Sequence, residues 1–188
     1  MKVALPAAIL FLIAAIGHAG PTTTPAAADE RLVDQFGHRV GSAAFDGHWL
    51  LIFFGYSACP DQCPAALTQM RLLLDRLGRD GDAIQPVFVS VNPVHDTPAR
   101  LKEFAARFHP RLRALTGSEA AVADAARTFG VPVRSGAKGG IDHGVFTYLV
   151  APDGRVVAML HPAQPLSDNL AQIRRALTAA KSPAAKVG

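Results

Sequence analysis

The sequence is poor in cysteine, in charge and in clustered basic residues. Only two cysteines occur among 188 residues, and charged residues make up 18% of the chain, with a formal net charge of +4. The arginines and lysines are dispersed, whereas a nucleic-acid-binding protein usually carries a basic stripe or a recognisable binding motif. The composition therefore argues against a nucleic-acid partner, and a hydrophobic content of 49% is ample for a globular core.

The apolar run near the N-terminus is shorter than a typical membrane-spanning helix. Lys2 precedes an uncharged and mostly apolar stretch over residues 3–17, and a spanning helix usually needs about 20 such residues. The pattern predicts a secretory signal peptide over residues 1–19, cleaved after Ala19, with an uncleaved N-terminal membrane anchor as the alternative. A polar, proline-punctuated linker is expected over residues 20–30. We therefore expect an exported protein, periplasmic or attached to the outer face of the inner membrane.

Both cysteines lie in one motif, Cys59-x-x-x-Cys63, directly after the apolar run 50–54. Residues four apart on a helix have Cβ atoms about 5–6 Å apart, and disulfides accept Cα separations of roughly 4.4–6.8 Å. Two such sulfurs also suit a soft metal ion. Each cysteine precedes a proline, which disfavours helical backbone. We therefore place the pair on a strand-to-helix loop, with Cys63 near the N-cap and Pro64 at the first helical position.

A thiol at a helix N-terminus loses its proton more readily than an ordinary thiol, because the positive end of the helix dipole stabilises the thiolate. The placement of Cys63 therefore predicts reactive sulfur rather than inert sulfur. A purely structural disulfide is the main alternative, although structural bridges stabilise more when they close long loops. A zinc site is disfavoured, because structural zinc takes four ligands and the chain has no third cysteine.

Hydrophobic periodicity predicts strands that alternate with helices. The expected elements are a hairpin over residues 33–40 turning at Gly37, strands over 49–54, 84–91, 145–150 and 155–160, and helices over 64–77, 97–108, 118–129 and 168–180. This order predicts an α/β fold with a central mixed β-sheet flanked by helices. Thiols between the first central strand and its helix are the thioredoxin-like arrangement. We expect one thioredoxin-like domain over residues 31–182 and a tail over 183–188.

Some local features have an ordinary structural interpretation. Met70 and Met159 fall in helical and strand patterns, so we expect both in the core rather than at a metal. Asp96 or Thr97 is expected to cap a helix that begins at Pro98. Ser167 is expected to cap the last helix.

Several segments together resemble one known family. They are residues 54–64 (FGYSACPDQCP), 90–98 (SVNPVHDTP) and 148–154 (YLVAPDG), with the pair Asp142-His143 between the last two. In this order they resemble the signature of the SCO/SenC copper chaperones, which are named for the synthesis of cytochrome c oxidase. The resemblance extends from about residue 32 to residue 180. It implies a thioredoxin-like domain that binds copper and assists assembly of the oxidase copper centre.

The resemblance also implies a ligand set. The family's metal ligands fall on Cys59, Cys63 and His143 in this sequence, and Asp61 or Asp142 is expected to orient the ligands from outside. Thiolate suits Cu(I), and imidazole suits Cu(I) or Cu(II). The implied partner is the copper-bearing subunit of cytochrome c oxidase, with other copper chaperones or thiol reductants as further partners.

This sequence departs from the family pattern near the expected site. Asn92 stands where an aspartate is common, His95 where an arginine is common, and Gly144 where a serine is frequent. The glycine-rich segment 134–140 suggests a mobile loop that allows the His143 ring to move in when metal binds.

The sequence leaves three functions open. The first is a copper metallochaperone that uses all three ligands. The second is an extracytoplasmic thiol–disulfide reductase that keeps oxidase cysteines reduced, in which Cys59 attacks and Cys63 resolves the mixed disulfide. The third is a thiol peroxidase, for which the sequence offers no identifiable peroxide-binding environment. Replacement of His143 separates the first two, because a dithiol reductase does not require the imidazole.

Overall fold

The computed structural model describes residues 32–135 and 141–181, which build one seven-stranded sheet and a separate two-stranded hairpin. The strands are β1 (Leu32–Asp34), β2 (Arg39–Val40), β3 (Trp49–Gly55), β4 (Ile84–Ser90), β5 (Arg113–Gly117), β6 (Val133–Ser135), β7 (Ile141–His143), β8 (Thr147–Val150) and β9 (Val156–Leu160). The helices are α1 (Gln62–Leu77), α2 (Arg79–Asp82), α3 (Pro98–Ala106), α4 (Glu119–Thr128) and α5 (Leu166–Lys181), and a short 3-10 helix spans Ser42–Phe45.

The large sheet is mixed, as the sequence predicts. Its strand order is β2-β1-β5-β4-β3-β8-β9, and β3, β4 and β5 are parallel while β1 and β8 run antiparallel to their neighbours. Strands β3 and β4 pair from Trp49 with Ile84 to Gly55 with Ser90. Because both strands therefore end at the same edge, the loops that follow them lie side by side. The hairpin of β6 and β7 contributes the segment that contains His143.

The central strand β3 is covered on both faces. Its alternate side chains enter two separate cores, with Leu51 and Phe53 in one and Leu50, Ile52 and Phe54 in the other. The first core also contains side chains of α1, α3 and α5, and the second contains side chains of α4. This double burial explains why the strand reads as a continuous apolar run. Burial of such side chains stabilises the fold by about 1.5–3 kcal/mol each.

Most predicted elements are confirmed, including the hairpin at Gly37, whose φ of 85° is a conformation that glycine tolerates. Strand β5 and hairpin β6–β7 are additional to the prediction. Ser167 is not a cap, because α5 begins one residue earlier at Leu166. Met70 lies in the core, but Met159 is 48% exposed because β9 is an edge strand.

Helix α1 begins two residues earlier than predicted. Asp61 is its N-cap residue, so Cys63 lies inside the first turn and Pro64 occupies the third helical position. The first four N–H groups of a helix have no intrahelical partner, so a proline here removes no hydrogen bond. This explains why the proline that follows Cys63 does not delay the helix.

No helix within the described ranges is long and apolar enough to cross a membrane. The predicted signal peptide or anchor, the linker and the tail fall in residues 1–31 and 182–188, outside those ranges.

Candidate metal centre

The two cysteines occupy the loop and first helical turn that follow β3. Cys59 is partly exposed, whereas Cys63 is completely buried against the first core. The backbone N–H of Cys63 donates to the Cys59 sulfur over 3.4 Å, and the N–H of Cys59 donates to the Tyr56 carbonyl over 3.2 Å. Both sulfurs are free thiols. The motif therefore presents one accessible sulfur and one inaccessible sulfur.

Close approach of the backbone places the Cys63 sulfur. A Cβ atom on Gly55 would lie 2.8 Å from the Cys63 Sγ and 2.9 Å from a ring carbon of Phe53. Both distances are shorter than real Cβ contacts, so only glycine leaves room for the sulfur at the end of β3. The glycine in the motif therefore has a steric role that its neighbours in sequence do not reveal.

Burial raises the pKa of the Cys63 thiol well above its usual range, although a hydrogen bond from the Tyr56 backbone lowers it and the charges of Cys59 and Asp96 raise it further. The prediction that the helix N-terminus makes this thiol more acidic is wrong for the metal-free protein. Loss of hydration outweighs the helix dipole, because a charged sulfur inside an apolar core has no water around it.

His143 already faces the cysteines. It lies at the end of β7 and is 6% exposed, and its Nε2 is 3.6 Å from the Cys63 Sγ. Its Nδ1 is 3.0 Å from the carbonyl oxygen of Gly144. A carbonyl can only accept, so Nδ1 carries a proton, and in the neutral ring the Nε2 lone pair lies on the side of the Cys63 sulfur. The ring needs no inward movement; Gly139 and Gly140, the basis of that hypothesis, lie outside the described residues.

The imidazole also has aromatic neighbours on two sides. Tyr56 and Phe53 contact it edge to face, with ring centroids at 5.8 Å and 6.0 Å and interplanar angles of 88° and 76°. Burial and the neighbouring Cys59 raise the pKa of the Tyr56 phenol, so this side chain is part of the site's surroundings.

The ligand atoms of Cys59, Cys63 and His143 all lie within 4.8 Å of one another. A metal bound to sulfur at about 2.3 Å and to nitrogen at about 2.0 Å, with an angle near 120°, separates those donors by about 3.7 Å. The Cys63–His143 separation of 3.6 Å agrees with that value. Two sulfurs and one imidazole suit soft or borderline metals, and three protein ligands leave a position open.

Of the two aspartates expected to orient the ligands, only Asp61 has a side chain that the structure describes. The imidazole is oriented by the Gly144 carbonyl, and Asp61 is exposed. The side chain of Asp142 lies outside what the structure describes. Asn92 and His95, two of the three departures from the family pattern, contact each other, with Asn92 Oδ1 and His95 Nδ1 3.1 Å apart. They therefore form a local contact where the family pattern has an aspartate and an arginine.

Asp96 has a role near the site beyond the helix cap that the sequence predicts. Thr97 caps α3, as predicted, by accepting from the Arg100 N–H over 3.3 Å. Asp96 is instead buried at 1% exposure and joins the loop after β4 to the loop after β3. The local cap motif offered a sufficient explanation for both residues, so only the fold reveals this second role.

The remaining described histidines lie outside the cluster. His109 and His161 accept backbone hydrogen bonds through Nδ1, from the N–H groups of Arg111 and Ala163. His48 is exposed in the turn before β3.

The sequence of this chain is similar to those of one known protein family. Residues 20–178 match the SCO1/SenC family. The chain is 38% identical over 133 residues to the mitochondrial SCO2 homolog of Danio rerio, covering 67% of this chain and 48% of that protein. The chain thus spans about half the length of this relative.

Solved structures of Sco proteins have the same fold as this chain. The yeast Sco1 structure with copper bound has a TM-score of 0.73 and 32% identity, covering 84% of this chain and 92% of that one. BsSco, described as having a disulfide switch and as a member of the Sco family of cytochrome c oxidase assembly proteins, has a TM-score of 0.66 and 27% identity, covering 78% and 90%. The predicted thioredoxin-like fold is confirmed. The chain belongs to the SCO1/SenC family.

Proposed function

We propose that this protein is a copper metallochaperone that assists assembly of the copper centre of cytochrome c oxidase. The observation that carries the proposal is the cluster of Cys59, Cys63 and His143, whose ligand atoms lie within 4.8 Å of one another on a fold shared with copper-bound Sco1. Thiolates favour Cu(I), and the imidazole nitrogen suits either oxidation state of copper.

The three ligands have different parts in transfer. Cys63 and His143 hold the ion from inside, because both are buried and their positions are set by Gly55 and by the Gly144 carbonyl. Cys59 is the partly exposed ligand, so an incoming ligand of the recipient reaches the ion beside it. Transfer proceeds by replacement of Cys59 first, and the buried pair releases the ion last.

The cellular setting belongs to the same proposal. Residues 1–19 direct export or remain as a membrane anchor, and residues 31–182 act in the periplasm or at the outer face of the inner membrane. The recipient is the copper-bearing subunit of the oxidase, and other copper chaperones or thiol reductants supply copper or electrons. N-terminal sequencing of the protein from fractionated cells tests the leader, since cleavage leaves Gly20 as the first residue.

A second candidate function is thiol–disulfide exchange, favoured by the unequal exposure of the two sulfurs and by the disulfide switch described for BsSco. The Cys59 thiolate attacks a substrate disulfide and forms a mixed disulfide, and the leaving thiolate takes a proton. Cys63 then loses its proton and displaces the second substrate sulfur. The products are a substrate dithiol and a Cys59–Cys63 disulfide, which an external thiol reductant returns to the dithiol.

Replacement of His143 distinguishes the two functions. The reduced protein is titrated with Cu(I) under anaerobic conditions against a chromophoric chelator, and the exposed His48 serves as the matched control. We expect His143→Ala to weaken Cu(I) binding at least about 100-fold, the upper end of what loss of an outer partner costs, and His48→Ala to leave it unchanged. Unchanged affinity in His143→Ala, with full disulfide reduction by that variant, would establish the reductase instead.

A further inference from the structure

A buried carboxylate joins the two loops beside the metal centre. Asp96 is 1% exposed, and its Oδ2 accepts from the Ser57 N–H over 2.9 Å and from the Ser90 hydroxyl over 2.7 Å. Its Oδ1 accepts from the Ser57 hydroxyl over 2.5 Å. Ser57 lies between the end of β3 and Cys59, so this carboxylate anchors the loop that carries the exposed ligand.

The hydrogen bonds indicate an ionised carboxylate. The Ser57 N–H can only donate, and the Ser90 hydroxyl, which accepts from the Asn92 N–H over 3.0 Å, donates its own proton to Asp96. A carboxylate that receives donors at both oxygens acts as an ionised acceptor. No lysine, arginine or histidine of the described ranges forms a salt bridge with it. A buried charge without a cation is costly, so its retention calls for an explanation.

The metal centre lies within electrostatic reach of this charge. The Asp96 Oδ2 binds the backbone N–H of Ser57, two residues before the ligand Cys59, and the N–H of Cys59 donates to the carbonyl of Tyr56, the residue before Ser57. A charge that disfavours a thiolate favours a cation placed among the same ligands. A dication gains more from it than a monocation does, because the Coulomb energy is proportional to the ion's charge.

We propose that Asp96 is a positioning residue of the metal centre, which anchors the Cys59 loop through Ser57 and supplies a fixed negative charge that favours Cu(II) relative to Cu(I). The inference rests on the proposed copper cargo. It makes no use of Asp96 as a ligand, and it assigns the carboxylate a part in setting which oxidation state the protein retains.

Asp96→Asn removes the charge and keeps the shape. An asparagine oxygen accepts from the Ser57 N–H and the Ser90 hydroxyl, and its NH2 group donates to the Ser57 hydroxyl, which can accept as well as donate. Ser57→Ala keeps the charge and removes one anchor. Asp34→Asn is the matched control, because Asp34 is another buried aspartate, 2% exposed, that accepts backbone hydrogen bonds from Phe36 and His38 in the distant β1–β2 turn.

The experiment measures Cu(I) affinity against a chromophoric chelator without oxygen, and Cu(II) affinity against glycine, for the reduced full-length protein and each variant. We expect the ratio of Cu(II) to Cu(I) affinity to fall about tenfold in Asp96→Asn, equivalent to a rise of about 59 mV in the one-electron potential. The ratio is expected to change less than threefold in Ser57→Ala and Asp34→Asn. The metal-free dithiol–disulfide equilibrium with glutathione is expected to stay within threefold in all variants, because neither of those two forms holds a metal cation on which the charge of Asp96 could act.

The outcomes separate the inference from the proposed function. Absence of copper binding by the unmodified protein overturns the function. Copper binding with an unchanged affinity ratio in Asp96→Asn overturns the inference alone, as does an equal fall of the ratio in Ser57→Ala, which would assign the effect to loop geometry. Urea unfolding verifies that each variant folds, and Asp96→Ser is a second charge-removing variant whose ratio is expected to fall in the same direction.

Discussion

Substitution of Gly55 by alanine tests the steric basis of the metal centre. The new Cβ atom would lie 2.8 Å from the Cys63 Sγ, 2.9 Å from Phe53 and 3.1 Å from Phe88. All three neighbours are completely buried, so none can move into solvent. The backbone cannot retreat easily either, because the Gly55 carbonyl accepts from the Val91 N–H over 2.7 Å.

The expected magnitude follows from these distances. Ordinary contact begins at 3.4 Å, so the Cys63 sulfur must be displaced by about 0.6 Å if it alone gives way. Overpacking of a core costs about 1–3 kcal/mol, and for a protein of this size each kcal/mol lowers the melting temperature by about 2–4 °C. Metal–ligand distances tolerate only about 0.2 Å of error. We therefore expect a loss of stability and at least a tenfold loss of Cu(I) affinity, about the smallest effect of disturbing a ligand's support.

The assay combines urea unfolding of the metal-free protein with anaerobic Cu(I) titration. Gly144→Ala is the matched control, because alanine keeps the backbone carbonyl that contacts His143 Nδ1, and its Cβ would meet Pro132 at 3.7 Å and Val131 at 3.9 Å, which are ordinary contacts. The control is expected to lose less than 1 kcal/mol of unfolding free energy and no copper affinity. Wild-type stability and affinity in Gly55→Ala would refute the steric argument, and equal losses in both variants would show that the effect is not specific to Cys63.

Two further predictions concern stability. Because burial raises the pKa of the Cys63 thiol above its ordinary value of 9.0, the unfolded chain releases this proton before the folded protein does. The free energy of unfolding of the metal-free protein should be unaffected by this thiol below about pH 9 and should fall above it, by up to about 1.36 kcal/mol per pH unit. Urea midpoints between pH 8 and 10 measure the slope. An equal slope in Cys63→Ala would contradict the assignment of the effect to Cys63. Ser118 caps α4, because its hydroxyl accepts from the Ala121 N–H over 3.2 Å. Ser118→Ala should lower the free energy of unfolding in urea by about 1 kcal/mol without changing copper affinity. A loss of copper affinity would show that α4 influences the site.

The sequence predicts most strands and helices because each of them depends on a local pattern of apolar residues. The apolar run of β3 requires two covered faces, and the motif that follows it places the cysteines at the strand end. Strand β5 was missed because its five residues, Arg113–Gly117, are too few to establish a period. Its position between β1 and β4 depends on pairing with distant segments.

The site was predicted in part for the same reason. Residue spacing alone indicates the cysteine pair, whereas His143, 80 positions beyond Cys63, was selected only by family resemblance. The chemical state of Cys63 was wrongly predicted because helix position is local but burial is tertiary. Asp96 illustrates the same limit, since its contact with Ser57 joins residues 39 positions apart.

The buried thiol has a consequence for how the proposed cargo is held. Without metal, Cys63 keeps its proton, because the core around it excludes water and a thiolate there lacks compensation. Binding of copper must therefore expel that proton, and the ion replaces it as the positive charge between the sulfur and the His143 Nε2. Affinity should then fall steadily as pH decreases, since protons compete with copper for the same sulfur. Cys59, which is partly exposed, can exchange with a recipient while Cys63 still holds the ion. The unequal burial of the two sulfurs thus combines retention of the ion with access for a partner.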